Sequence, residues 1–522
     1  MHRLNTVFVL FDSLNRTALG CYGANGVHTP NFDRFARRAV AFDRHYVGSL
    51  PCMPARRDLH TGRLSFMHRP WGPLEPFDNS FPALMRAAGV YTHLITDHLH
   101  YFKDGGATYH GRFQSWEFFR GQEDDAWKAM VQPPLERFRE KYSAKQYRFD
   151  PVSPHRQNVI NRQWMRDEAA MPGPNCFAAA LEFLELNHTA GPWFLQVECF
   201  DPHEPFDAPP RFRDLYPTGY TGKVLDWPQY ERATDSALEI AEIRANYAAL
   251  VTMSDHYFGK LLDAFDRHGL WNDTILILST DHGFLLAEHE WWGKNRMPYY
   301  VEISHIPLLV YHPAHAGEGG SRRQALTQTI DLMPTFLNCF EVDIPKEVQG
   351  HSLLPLLAQD RGFRTTCLFG MFGGPLGACD GRYVHYLYPP DLYAPGLYQY
   401  TLMPMDLRSL FTAEELRTAE LAPPFDFTKG MPVLRVNALK EPQHLATRGA
   451  LRFEPERGTV LYDLQKDPQQ AQPFREPVIE ERFHHEMAAI LGAHDAPAEF
   501  YDRYGLDRFE RERVKAQAAA IV

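Results

Sequence analysis

Cysteine is scarce in this chain. Its 522 residues hold seven, Cys21, Cys52, Cys176, Cys199, Cys339, Cys367 and Cys379, and no two form a Cys-x-x-Cys pair. That spacing supports neither a zinc ribbon nor a thioredoxin-like motif, and the odd count fits a reducing compartment better than a disulfide framework. Basic charge is also short: 54 Lys and Arg stand against 65 Asp and Glu, a formal net charge of −11. This argues against nucleic acid or an anionic membrane surface as partner and points to a small molecule. Long apolar runs are absent as well. The run before Asp12 in "MHRLNTVFVLFD" is too short for a signal-peptide core or a membrane span, so a cytoplasmic protein is expected. No repeat, low-complexity segment or long flexible linker interrupts the chain. What is present, 44% hydrophobic and 23% charged residues, is ordinary globular composition.

Helical and apolar β-branched segments alternate. "TVFVLF" reads as a buried strand that delivers Asp12 at its end, and "TPNFDRF" opens a helix with Thr29 and Pro30 in N-cap and N1 order. "SFPALMRAAGV" and "YTHLITDH" repeat the helix and strand. So do "CFAAALEFLELN" with "PWFLQVECF", and "DHYFGKLLDAFDRHGL" with "TILILSTDHG", before a last strand "IPLLVYHP". The alternation predicts an α/β fold with helices on both faces of the sheet. Residues 1–365 are assigned to this α/β domain. Residues 366–480, with short strands and Gly-rich turns, read as a smaller antiparallel subdomain. Residues 481–522 read as a tail of one or two charged helices, suited to a contact between subunits of a homo-oligomer.

In open α/β sheets ligands bind outside the carboxyl ends of the strands. Here "LFD", "ITDHLH", "VECFDPHEP" and "LSTDHG" all place polar groups at such ends. Asp12, Asp281 and His282 could converge there on one divalent cation; oxygen donors favour calcium, magnesium or manganese, and the imidazole shifts the balance towards manganese. His203 sits between prolines in a stiff loop. Lys294 and His289 follow in "AEHEWWGK". Trp71, Trp116, Trp127, Trp291 and Trp292 could wall a pocket, although such aromatics are more often core.

The segment "CMPARRDLHTG", from Cys52 to Gly62, fits the pattern Cys-x-Pro-Ser/Ala-Arg, four residues, Thr-Gly. On this motif the chain resembles the sulfatase family of the alkaline phosphatase superfamily. "DPHEPF", "TDHGFLLAEHEWWGK" and "VLYDLQKDPQQ" resemble further family segments. The resemblance implies an alkaline-phosphatase-like mixed, mostly parallel sheet sandwiched by helices. It also implies that a maturation enzyme oxidises Cys52 to formylglycine, in an active-site turn.

By the same resemblance Asp12, Asp281, His282 and residue 52 bind one calcium or manganese ion. Arg56 holds the hydrated aldehyde, His203 and Lys294 bind the sulfate oxygens, and His98 or His100 takes a proton. The family's usual second aspartate is Ser13 here, which removes one carboxylate ligand. The usual lysine-tryptophan-histidine loop reads "TDHLHYFKDGG", with Lys103 as a stand-in lysine at the substrate. His282 replaces the asparagine of many arylsulfatases. These departures resemble the phosphonate monoester hydrolases. Three functions are therefore carried: sulfate-ester hydrolysis, phosphonate monoester or phosphodiester hydrolysis on the same machinery, and non-catalytic binding with Cys52 left as a thiol.

Overall fold

The computed structural model describes residues 4–296, 298–438 and 458–521. Its centre is an eight-stranded sheet in the order Arg322–Arg323, Val40–Phe42, Leu308–Tyr311, Thr274–Thr280, Asn5–Phe11, Trp193–Cys199, Tyr91–Thr96, Ser115–Phe118. The strand Asn5–Phe11 lies between two parallel neighbours, with Phe11 beside both Cys199 and Thr280. Leu308–Tyr311 runs antiparallel to both of its neighbours. Every residue of Asn5–Phe11, Trp193–Cys199 and Thr274–Thr280 is buried, as expected of strands covered on both faces.

Two apolar layers do the covering. On one face, helices Pro30–Ala36, Pro172–Asn187 and Ala237–His268 pack Phe32, Phe35, Phe177, Leu250 and Phe258 against Val7, Val9, Leu195 and Leu276. On the other, helices Phe81–Ala87 and Leu332–Cys339 pack Phe81, Met85 and Phe336 against Phe8, Phe194 and Ile277. The fold expected from the alternation is thus the one observed. Helix Ala237–His268 extends well upstream of the segment read as helical; a Ser236–Glu239 capping box starts it and Gly269, at φ 67°, ends it.

The segment expected as an active-site turn is instead a helix, Cys52–Thr61, with Cys52 as its first residue. Asp58 holds its approach, accepting from Ser49 N at 2.6 Å, Ser49 Oγ at 2.9 Å and Ser65 N at 2.9 Å.

The C-terminal region carries the antiparallel strands read from its short-strand texture. One sheet joins Cys367–Gly370, Leu376–Cys379, Tyr383–Leu387 and Val460–Asp463; a second joins Tyr398–Thr401, Val433–Asn437 and Glu420–Ala422. The tail forms three helices, Pro477–Ala493, Ala498–Tyr504 and Asp507–Ile521. Phe483, Met487, Leu491, Phe500 and Phe509 pack onto Leu368, Leu376 and Leu461 of the first small sheet in the same chain. No helix among the described residues is long and apolar enough to cross a membrane.

Candidate active site

Four parallel strands end at one edge of the sheet, and their following loops converge there. Asp12 follows Asn5–Phe11, Asp281 and His282 follow Thr274–Thr280, His98 follows Tyr91–Thr96, and His203 follows Trp193–Cys199. The loops are pinned to one another. Thr280 Oγ1 donates to Phe11 O at 2.9 Å, Asn15 bonds Phe284 through both amide atoms, and Tyr247 OH donates to Ser13 O at 2.8 Å. Gly283 passes so close to Glu302 that a Cβ would lie 1.8 Å from its carbonyl oxygen, so only glycine fits.

Asp12, Cys52, Asp281 and His282 are all buried, and each offers a ligand atom within 4.8 Å of the others. Cys52 Sγ lies 3.3 Å from His282 Nε2. The opposite ring nitrogen, Nδ1, lies 3.0 Å from Gly283 O, which turns Nε2 towards the cluster. Burial, and then the neighbouring Asp12, push Asp281 up to about 7. Burial alone would raise Asp12 too, but Lys294, His203 and Arg56 hold it well below the usual carboxylate range. Two close carboxylates, an imidazole and a sulfur position form a donor set that fits one divalent cation.

Arg56, fully buried, turns each of its three guanidinium nitrogens to a carboxylate: Nε to Glu198 at 2.7 Å, one terminal nitrogen to Asp281 at 2.6 Å and the other to Asp12 at 3.1 Å. Glu198 also accepts from Tyr101 OH at 2.9 Å and Gln196 Nε2 at 2.8 Å. Neither Glu198 nor Gln196 was singled out from the sequence. Their signal was present in "WFLQVEC", where two polar residues two apart share one face of an otherwise apolar strand.

Ser13, at φ 61°, donates to Asp12 Oδ1 at 2.8 Å through its hydroxyl and accepts from Lys294 Nζ at 3.0 Å. Its backbone N–H donates to Asp281 at 3.1 Å. The serine hydroxyl therefore links Lys294 to Asp12, while the backbone N–H holds Asp281. Burial works against the Lys294 ammonium, but Cys52, Glu204 and Asp12 around it keep its pKa raised.

His203 stacks at 4.1 Å on Phe200, and its Nδ1 donates to Glu204 O at 2.5 Å with the Glu204 carboxylate 3.3 Å away. Tyr230 OH holds that carboxylate. Burial lowers the His203 pKa. His98 is fully buried beside Phe200, and neither ring nitrogen has a hydrogen-bond partner. Burial, reinforced by Arg56, holds its pKa well below the usual value. His100 Nε2 accepts from Arg408 at 3.3 Å. Beneath these loops Gln122 Nε2 bridges Asp97 at 2.9 Å and Asp201 at 3.2 Å, tying the His98 loop to the His203 loop.

Other sequence candidates lie outside the cluster. Lys103 pairs with Asp124 at 3.3 Å on a part-exposed loop. His289 stacks on Tyr300 at 3.6 Å and pairs with Glu302 at 3.3 Å, so it packs within the structure outside the cluster. Asp331, just ahead of helix Leu332–Cys339, makes no side-chain capping bond but receives both terminal nitrogens of Arg364, at 2.6 and 2.5 Å, so it serves structure. Trp291 and Trp292 are buried; Trp71 is half-buried beside His100.

The family model described as Sulfatase matches residues 4–342. N-acetylglucosamine-6-O-sulfatase of Bacteroides thetaiotaomicron is 24% identical over 412 residues, covering 69% of this chain and 71% of the relative. The phosphonate monoester hydrolase of Agrobacterium radiobacter shares the fold at a TM-score of 0.64, with 18% identity, over 94% of this chain and 96% of that one. A further solved structure, in complex with its substrate D-glucosamine-2-N,6-O-disulfate, aligns at a TM-score of 0.60 with 17% identity, over 96% and 98% of the two chains.

Proposed function

Because the chain belongs to the sulfatase family, the sulfuric-ester hydrolases, we propose that it hydrolyses sulfate monoesters at Cys52, converted to formylglycine, with one divalent cation. The observation that carries the reading is Cys52 at the head of its helix, 3.3 Å from His282 and within the buried Asp12–Asp281–His282 cluster. As a plain thiol it is poorly suited to attack, since burial, and then Asp12, push its pKa well up. It is also 2% exposed, so a maturation enzyme would have to reach it before the chain folds.

A formylglycine at position 52 supplies, as its hydrate, a hydroxyl nucleophile with its own release route for sulfate. A calcium or manganese ion held by Asp12, Asp281 and His282 supplies positive charge that favours the deprotonated nucleophile. Arg56 keeps the two carboxylates apart and oriented, with Glu198 fixing its own plane. Lys294, steadied by Ser13, presents a desolvated positive charge to the non-bridging oxygens, where such charge stabilises the transition state most.

His203 holds its Nδ1 proton on the Glu204 carbonyl. A proton taken up at Nε2 would then be balanced by the Glu204 carboxylate and could pass to the leaving oxygen. His98, neutral and unpartnered, is the better placed base; His100 has its Nε2 lone pair engaged by Arg408.

The alcohol we assign is a sugar, in keeping with the N-acetylglucosamine-6-O-sulfatase relative. Ser13 in place of a second carboxylate, together with the fold likeness to a phosphonate monoester hydrolase, favours a second activity on phosphonate monoesters. Parallel kinetics on 4-nitrophenyl sulfate and 4-nitrophenyl phenylphosphonate test the order. The sulfate is expected to give the higher kcat/KM; a phosphonate preference of several orders of magnitude would reverse the assignment.

A further inference from the structure

The chain as a whole is acidic, yet one cavity is walled by arginines. Arg44, Arg364, Arg382 and Arg482 line a space of about 420 Å³, with Asp380 as its one acidic residue. The cavity sits where the large α/β domain meets the C-terminal region. Arg44 directly precedes the short strand His45–Tyr46, and Arg364 lies ahead of strand Cys367–Gly370. Asp380 and Arg382 belong to the turn between strands Leu376–Cys379 and Tyr383–Leu387, and Arg482 comes from helix Pro477–Ala493. None of the residues gathered around Cys52 borders it.

Three of the four arginines have partners. Arg364 gives both terminal nitrogens to Asp331, Arg382 gives one to Asp463 at 3.1 Å, and Arg482 gives one to Glu486 at 3.1 Å and the other to Asp380 at 2.5 Å. Asp331, Asp463 and Glu486 do not line the cavity. Asp380, which does, has both oxygens engaged: Oδ1 accepts from the backbone N–H groups of Arg382 at 2.8 Å and Tyr383 at 2.7 Å, and Oδ2 accepts from Arg482. Arg44 differs from the other three. It is half-buried, and among the described residues no side chain pairs or hydrogen-bonds with its guanidinium. Packing positions it instead. Gly381, at φ 87°, lies so close that a Cβ there would come 3.0 Å from both Cδ and Nη1 of Arg44. Glycine therefore suits both the turn and the arginine laid against it. A cation held by shape without a counter-ion, in a cleft walled by other cations, is prepared for an anion from solution.

We propose that this cavity is a second ligand site, separate from the ester-cleaving site, and that it binds a small phosphorylated molecule. A guanidinium carries five N–H donors in a fork that matches phosphate oxygens. Arg44 has all of its donors free, and Arg382 commits only one terminal nitrogen to Asp463. A phosphate monoester carries about −1.5 to −2 charges at neutral pH, more than a carboxylate, which suits a wall of several guanidiniums. The volume falls within the roughly 300–1,000 Å³ of small-molecule sites, so the organic part of the ligand is accommodated beside its phosphate.

The test is calorimetric titration of the full-length protein with glucose 6-phosphate and, as the neutral control, glucose. Glucose 6-phosphate is expected to bind and glucose is not. Arg44→Gln should weaken that binding about tenfold, the loss of one hydrogen bond between charged groups, and Arg44→Lys should retain part of it. Because Arg44 gives up no hydrogen bond within the chain, Arg44→Gln is expected to keep the wild-type Tm. Arg382→Gln, at an exposed residue, should weaken binding independently. Phosphate held in the ester-cleaving site would instead survive both substitutions. No binding of glucose 6-phosphate, equal binding of glucose, or an affinity unchanged in both Gln variants would overturn the proposal.

Discussion

Arg56 and Glu198 form a fully buried ion pair, Nε to Oε1 at 2.7 Å, behind the carboxylates of Asp12 and Asp281. Removing one member of such a set leaves charge buried without compensation, which costs about 3–5 kcal/mol. Arg56→Ala is therefore expected to lower stability by that amount in urea unfolding and to abolish turnover. A loss below about 1 kcal/mol would show that the acids do not depend on it.

Ser13 links Lys294 to Asp12. Ser13→Ala removes that hydroxyl, and a lost hydrogen bond to a charged group of about 1.5–3 kcal/mol corresponds to roughly a ten- to hundredfold fall in kcat/KM. Ser13→Asp, at a φ that aspartate tolerates, is expected to tighten divalent-cation binding by adding a carboxylate. Calorimetry with calcium and manganese checks it; unchanged affinity would place position 13 outside the metal's reach.

Chelation should remove activity, and either calcium or manganese should restore it. An ion that binds the folded state alone is also expected to raise Tm by mass action. Full activity after exhaustive EDTA dialysis would contradict the metal assignment.

His60 gives a pH signature away from the metal. It is buried, and burial pushes its imidazole down to about 3, against about 6.5 in an unfolded chain. Above about 6.5 neither state binds the proton. As pH falls below that value the unfolded chain takes up a proton that the folded chain refuses, and the histidine's share of stability is lost towards about pH 3. Asp58 and Asp255, pushed up to about 7 by burial, act in the opposite sense, but substituting His60 leaves them in place. The stability advantage of wild type over His60→Gln should shrink by up to about 1.4 kcal/mol per pH unit below 6.5, read from urea midpoints. An advantage that grows on acidification would refute the sign.

Much of the site was legible in the sequence because it obeys local rules. Apolar runs ending in Asp12, Asp97 and Asp281 announced strand ends, and parallel strands bring such ends to one edge. Glu198, by contrast, is a buried acid explained only by Arg56, which lies 142 residues away in sequence. Ser13 was read as a missing ligand, yet its contact with Lys294, 281 residues distant, makes it a connector. The Cys52 segment was expected as an active-site turn from the family resemblance, and it is a helix. Pro54 falls in the first turn of the helix, where a missing N–H costs little. Arg408 could not have been found from spacing, since only the packing of the C-terminal region brings it to His100.

The most direct test is the mass of the peptide containing residue 52, taken from protein that turns over a sulfate ester. The account predicts an aldehyde in place of the thiol, an oxygen where sulfur and two hydrogens had been, in a fraction that tracks specific activity. Active protein whose residue 52 is wholly unmodified cysteine would contradict it.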